Sequence, residues 1–289
     1  MKKVIKYSLT LFSIALTLFM FSGCLQNDDL TTENALEGGM VNPITLNVPY
    51  KLGATPSIPI DLEIPQGPAI TSIEVYNTYY ANDTTAKGAD TVLVSNEVLM
   101  TTVDVGGANA SDVVEKSLSL TYTDLKKDIL IKGEGLPESE MELAIGNYWV
   151  LKYVSVLSDS RKVINNSNLS TNIGVANQYA GPYQCVGIFH HPVNGDRPIN
   201  EEKYLTPVDA FSCYTALGDL GTAGYDINIK VESDNTCTVT AGPNQTTEVF
   251  MSPGEVNAWD PATGIFNLHY FYVGGTGNRV IEETYTPIP

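Results

Sequence analysis

The sequence predicts an all-β protein made of two modules, and three observations carry that prediction. Short runs of alternating apolar and polar residues recur along the chain from Asn42 onward, which is the period of a half-buried strand. Gly, Pro and Asn separate these runs, while stretches of helical period are scarce. The rhythm also gives way to the Asn- and Ser-rich stretch "VINNSNLSTNIGVANQ" from Val163 to Gln178, which reads as a boundary.

Before that boundary, "NPITLNVPYKLG" (Asn42 to Gly53), "SIPIDLEIPQG" (Ser57 to Gly67) and "ITSIEVYNTYY" (Ile70 to Tyr80) alternate with period two. "DTVLVSNEVLMTTVDV" (Asp90 to Val105), "VVEKSLSLTYTDL" (Val113 to Leu125) and the strongly apolar "YWVLKYVSVLSD" (Tyr148 to Asp159) follow. Short strands at this spacing predict an N-terminal immunoglobulin-like β-sandwich. Thr123-Asp124 interrupts the rhythm, and a helical turn is expected near Pro137 to Leu143 with Glu138, Glu140 and Glu142 facing water. After the boundary, strand-like segments from Tyr179 to Ile288 are joined by turns such as Ser233-Asp234-Asn235 and Asp260 to Gly264. They predict a C-terminal antiparallel β-barrel-like or β-sheet domain. The expected organisation is 1–23 as signal, 24–43 as an acidic tether, 44–175 as the sandwich and 176–289 as the second β domain.

The first 23 residues carry Lys2, Lys3 and Lys6 ahead of an apolar run from Leu9 to Phe21, too short to span a bilayer but of secretory length. Ser22-Gly23 then precedes Cys24, an arrangement that resembles the lipobox of bacterial lipoproteins, with Phe21 where Leu, Val or Ile is usual. The resemblance implies cleavage before Cys24 and lipidation of its thiol, so that the protein is held to a membrane by acyl chains. "LQNDDLTTENALEGG" (Leu25 to Gly39) has no Lys or Arg and reads as a tether. Its Asp28 and Asp29, close to Cys24, resemble the signal that sends lipoproteins of Bacteroidota to the outer face of the outer membrane.

Charge narrows the partners. The 16 basic residues face 33 acidic ones, and since three lysines lie in the signal, 13 against 33 leaves the mature chain at −20. Such a surface repels phosphate backbones, so nucleic acid is not an expected partner. Cys185, Cys213 and Cys237 form an odd set without zinc spacing and read as small buried residues; two of them pairing as a disulfide stays open.

"LPESEMELAIGNYWVLKYVSVLSDSRKV", "NQYAGPYQCVGIFHHP", "EKYLTPVDA" and "WDPATGIFNLHYFYVGGTGNRVIEETY" resemble stretches of a family of Bacteroidota surface lipoproteins. That family pairs an N-terminal immunoglobulin-like domain of unknown function with a C-terminal β domain, beside SusC/SusD-type glycan importers. The resemblance implies an outer-membrane, outward-facing accessory that binds a polysaccharide or oligosaccharide, with SusC/SusD-type proteins as partners. The alternatives are a scaffold that binds no ligand and an adhesin or pilus-like subunit; Arg161, the first arginine, lies far from Cys24, unlike the pattern of lipoprotein pilins.

No catalytic residue, metal site or cofactor is expected. The chain lacks G-x-S-x-G, H-E-x-x-H, a P-loop and a strand-linked G-x-G-x-x-G, and adjacent His190 and His191 should point to opposite faces of a strand. A sugar would instead meet exposed aromatic rings, with amide and carboxylate groups on its hydroxyls. The candidates are Trp259 beside the turn at Asp260, Tyr270 and Tyr272 sharing one face of "HYFYV", and Tyr79 and Tyr80 near a polar loop. Trp149 reads as core. Asp83-Thr84-Thr85 and Asp90-Thr91-Val92 resemble the short O-glycosylation motif of exported Bacteroidota proteins, which would place glycans on Thr84 and Thr91.

Overall fold

The computed structural model describes residues 39–65, 69–83, 92–106, 113–165, 169–244 and 247–289. The signal, Cys24, Asp28, Asp29, Thr84 and Thr91 lie outside them. The chain is all-β, and among the described residues no helix is long and apolar enough to cross a membrane.

The first part contains β1 (Asn42–Pro43), β2 (Asn47–Lys51), β3 (Ile58–Pro65), β4 (Ile70–Asn82), β5 (Val92–Val94) and β6 (Val98–Asp104). It continues with β7 (Val113–Leu120), α1 (Tyr122–Lys126), β8 (Leu130–Ile131), β9 (Glu134–Gly135), β10 (Tyr148–Leu157), β11 (Lys162–Ile164) and β12 (Thr171–Ala176). Strands β1-β3-β7 form one antiparallel sheet, and a second runs β2-β12-β10-β4-β5, with β11 also on β10 and β6 also on β4. One apolar core joins them. Ile58, Ile60, Leu62 and Ile64 alternate inward from β3, and Ile73, Val75, Tyr79, Trp149, Leu151 and Tyr153 do so from β4 and β10. Each such side chain contributes about 1.5–3 kcal/mol by leaving water. Trp149 is fully buried, with ring centroids of Tyr79, Tyr50 and Tyr122 at 4.8, 5.8 and 6.4 Å.

Three local features depart from the sequence expectations. The interruption at Thr123-Asp124 is the short helix α1: the Thr121 hydroxyl accepts from Asp124 N (3.3 Å) while the Asp124 carboxylate accepts from Thr121 N (2.8 Å), a reciprocal cap. The Asn-rich boundary stretch contains β12, a central strand paired antiparallel with β10 and parallel with β2. Asn172, Gly174 and Ala176 sit on one face while Thr171, Ile173 and Val175 fill the other, so composition concealed a sound alternation. The turn near Pro137 to Leu143 is the 3-10 turn Glu140–Glu142, but Glu140 does not simply face water. Its carboxylate accepts the Tyr50 hydroxyl and Gly53 N, tying the turn to the end of β2.

The second part contains β13 (Gly181–His191), β14 (Gly195–Pro207), β15 (Ser212–Ala216), β16 (Asp226–Val231) and β17 (Cys237–Ala241). After these come β18 (Val249–Met251), β19 (Ala258–Trp259), β20 (Phe266–Gly274) and β21 (Gly277–Pro287). The sheet order is β17-β16-β15-β14-β13-β21-β20-β18, with β19 also on β20. The two ends of this sheet meet. Cys237 N donates to Asn257 O (2.8 Å), Trp259 N donates to Asn235 O (2.9 Å), and Thr236 bridges Ala258, which brings the sheet close to a closed barrel. Phe189, Leu205, Ile227, Phe266, Leu268 and Ile281 fill its interior. Cys185, Cys213 and Cys237 are free and buried, with burial pushing the Cys213 and Cys237 thiols up to about 12.

Candidate functional site

The meander β14 to β17 has two unlike faces. Lys203, Leu205, Cys213, Ile227, Ile229 and Val239 turn into the barrel, and alternation therefore sends Tyr204, Thr206, Tyr214, Asp226 and Asn228 to the other side. Cross-strand register places Thr206 opposite Tyr214, Tyr214 opposite Asn228 and Asn228 opposite Thr240. At one end of this face lies a hollow of about 240 Å³, walled by Tyr204, Tyr214, Tyr225, Thr206, Asp226 and Asn244.

Each wall is held from behind. Tyr204 is 61% exposed and Tyr225 37%, so both present ring surface to solvent. Tyr225 ends the loop from β15, whose base is closed by Leu217 N donating to Tyr225 O (3.0 Å); Gly218 and Gly224 supply the positive φ values (50° and 79°) that the loop requires. Its ring stacks on Tyr272, centroids 6.3 Å apart and planes 27° apart. Asp226 is buried, and its carboxylate accepts from Asn244 Nδ2 (2.7 Å) and Asn244 N (3.1 Å). Gly242 N donates to Asp226 O at 3.0 Å. A Cβ at position 242 would stand 2.5 Å from Asp226 Oδ1, so glycine is what lets the strand pass this close.

Aromatic rings around a clamped carboxylate and amide suit a polyhydroxylated ring: its C–H face packs on tyrosine while its hydroxyls donate to Asp226 and bond Asn244 and Thr206. The volume is below that of a drug-sized ligand pocket, about 300–1,000 Å³, and fits one ring at a time.

The five aromatic residues expected at a binding surface are not brought together, and three of them are core. Tyr79 is 1% exposed against Trp149, with Asn147 Nδ2 donating to its hydroxyl (2.9 Å) and burial pushing that hydroxyl up to about 12. Tyr270 is fully buried inside the barrel, donating to Glu283 Oε2 (2.6 Å), and burial followed by the Glu283 charge holds its pKa well above the ordinary tyrosine value. Tyr272 is 5% exposed and serves the hollow only as the ring beneath Tyr225. The alternation of "HYFYV" puts Tyr270 and Tyr272 on one face, compatible in sequence with a solvent platform or a barrel interior, and that face is the interior: Leu268, Tyr270 and Tyr272 line the barrel core. Tyr80 is half-buried on the outer face of β4, stacked on Tyr148 at 4.8 Å. Trp259 is half-buried, edge-on to Tyr179 at 4.9 Å, and packs on the core.

Sequence reading missed Tyr204, Tyr214 and Tyr225. Tyr204 and Thr206 in "KYLTP" show the alternation that puts them opposite Leu205, and that signal was available. The meeting of Tyr225, Asp226 and Asn244 depends on a loop and a strand end and has no local signature.

A second cleft, of about 370 Å³, lies in the first part between Tyr79, Leu93, Ile131, Leu136, Glu142 and Asn147. It shows no exposed ring face, since Tyr79 is its aromatic member and is buried. Inside the barrel, Lys203 Nζ meets Glu283 Oε1 at 2.5 Å with both side chains at most 2% exposed. Glu283 also accepts the Tyr285 hydroxyl (2.8 Å) and Cys185 Sγ (3.3 Å), and Lys203 donates to Ala216 O (3.1 Å). His190 and His191 do not share a site: His190 Nδ1 lies 2.7 Å from Asp196, and His191 Nδ1 accepts from Val193 N and Asn194 N within its own turn. Among the described residues no group of three or more His, Cys, Asp or Glu side chains is placed to hold a metal ion.

A protein-family model whose description reads "-like, C-terminal" matches residues 168–286, the stretch that holds the hollow. A crystal structure of the lipoprotein BT2262 from Bacteroides thetaiotaomicron aligns with 48% of this chain and 75% of that chain, at 14% identity and a TM-score of 0.28. No curated protein matches the sequence. The function is therefore argued from the site.

Proposed function

We propose that this protein is a lipid-anchored, outward-facing surface protein that captures glycan without chemically altering it, as an accessory to a SusC/SusD-type uptake system. The hollow of Tyr204, Tyr214 and Tyr225 over Asp226 and Asn244 is the observation that carries the reading. It offers stacking surfaces and hydroxyl partners, and its carboxylate is held by amide donors rather than poised beside a second acid. Glycoside hydrolysis needs two carboxyl groups about 5–10 Å apart across the bond, and Asp226 is the lone acid among the residues walling the hollow. The lipobox at Cys24 and the acidic residues that follow support the anchor and the outward location; the family resemblance supports the importer partnership.

The test is native affinity electrophoresis of residues 25–289 through gels containing plant, mucin and microbial polysaccharides. Retardation by one polymer class, abolished in Tyr225→Ala and Tyr204→Ala, is expected. Retardation by none, or retardation that both variants retain, would overturn the assignment of the hollow.

The rival reading, a scaffold or adhesin that binds protein rather than sugar, is favoured by a different surface. Across β13, β18 and β20, Val186, Ile188, Phe250 and Val273 are 48%, 41%, 39% and 53% exposed, and Phe250 stacks on Phe271 at 5.3 Å.

A further inference from the structure

We infer that the ligand is an uncharged polysaccharide, bound along an internal stretch of its chain that runs from the hollow across strands β14 to β17; this rests on the glycan reading. Thr206, Tyr214, Asn228 and Thr240 are successive cross-strand partners, so they form one line perpendicular to the strands on the face that carries the hollow. Strands lie about 4.8 Å apart, and three such steps extend the line over about 14 Å, longer than any single sugar ring. The residues on it are a hydroxyl, a tyrosine ring, an amide and a second hydroxyl, all partners for sugar and none an ion. A line of this kind reads a chain in passing.

Charge restricts what can lie there. No Lys or Arg is among the residues walling the hollow, and its floor is Asp226. The cation nearest along β16, Lys230, is already spent on Glu232, with both carboxylate oxygens at 2.9–3.0 Å from its Nζ. Lys203 turns the other way, into the barrel. A uronic acid, sialic acid or sulfate group would meet the Asp226 carboxylate and a mature chain of net charge −20 (13 basic against 33 acidic residues) around it, with no cation among the walling residues in return.

The experiment is isothermal titration of residues 25–289 with linear glucan, mannan and xylan oligosaccharides of one to six units. Polygalacturonate and heparin are the acidic comparators, and Asn228→Ala is run beside Tyr225→Ala. One neutral series should bind with affinity rising at least tenfold between one and four units. Asn228→Ala should erase that rise while leaving the single-unit affinity in place, and Tyr225→Ala should weaken every length. A neutral series whose affinity is flat with length overturns the line across the strands but leaves the hollow as a glycan site. Binding of an acidic polymer as tight as any neutral one overturns the exclusion of charge. If no member binds, the glycan reading falls and this inference with it.

Discussion

Replacing Lys203 by Met should destabilise the barrel by about 3–5 kcal/mol, the usual cost of leaving one member of a buried ion pair without the other. The geometry places this site at the severe end: Glu283 is fully buried, and its close cationic partner, at 2.5 Å, is the lysine being removed. The hydroxyls of Tyr270 and Tyr285 remain on Glu283 Oε2 (2.6 and 2.8 Å) but supply dipoles rather than charge. Glu283→Gln alone leaves the ammonium with Glu201, 3.7 Å away and partly exposed, and should cost less. The informative species is the double variant Lys203→Met with Glu283→Gln, because the glutamine carbonyl still accepts from both tyrosines while no net charge stays buried. It should be more stable than the sum of the single changes by at least about 2 kcal/mol. Equilibrium urea unfolding measures this, and the chain is built for it: its two tryptophans fall one in each core, Trp149 in the first and Trp259 against the second. In a Trp149→Phe background the remaining fluorescence follows the barrel. A Lys203→Met cost below about 1 kcal/mol, or strict additivity in the cycle, would refute the reasoning that the pair is dry and mutually dependent.

Further outcomes follow from other contacts. Gly242→Ala pushes a methyl toward Asp226 Oδ1, 2.5 Å away, and should weaken glycan binding about tenfold in affinity electrophoresis while leaving the unfolding transition cooperative. Residues 25–289 contain three buried thiols, so dithionitrobenzoate should find no fast-reacting group in the native protein and three after denaturation; a fast native thiol would contradict the burial. Hydrogen bonds from the Arg197 guanidinium hold the Asp219 carboxyl below its ordinary value against the opposing effect of burial. A depressed acid contributes stability that is complete above its unfolded pKa of about 3.9 and is lost as pH falls through the lower folded value. Acid unfolding of the barrel should therefore shift to higher pH in Arg197→Met, as followed by Trp259 fluorescence. Thr121→Ala removes the reciprocal cap of α1 and should cost about 1 kcal/mol in the first part alone, measured with the Trp149 signal.

Alternation made the strands legible because one face of nearly every strand is dry: β3, with Ile58, Ile60, Leu62 and Ile64 inward, is the plainest case. The helix α1 was less so, since five residues are too few for a helical period to show, although Thr121 and Asp124 carry its cap in the sequence. β12 was concealed by composition, with Asn172, Gly174 and Ala176 on its outer face. Aromatic residues posed the harder problem. A tyrosine reads alike whether its hydroxyl reaches water or a buried partner, and Tyr270 is hidden because Glu283 waits for it 13 residues later on a neighbouring strand. Which face of a strand is wet follows from the closure of the sheet, a property of all its strands together. Tyr225 and Asn244 meet only because loop and strand end converge there, and no pattern within either segment announces it.

Under the surface location proposed above, the seam between Asn235–Cys237 and Asn257–Trp259 bears on life in a crowded layer. Proteins tethered to one membrane meet each other at high local concentration, where any open strand invites a neighbour to add its own. Where β17 and β19 are hydrogen-bonded across the seam that invitation is withdrawn, and the tyrosine face, a surface of side chains, is left to meet other molecules. In the first part, β7 is bonded to β3 on one side and, among the described residues, pairs with no strand on the other. Strand addition by a second copy or by a partner would find its place on such an edge.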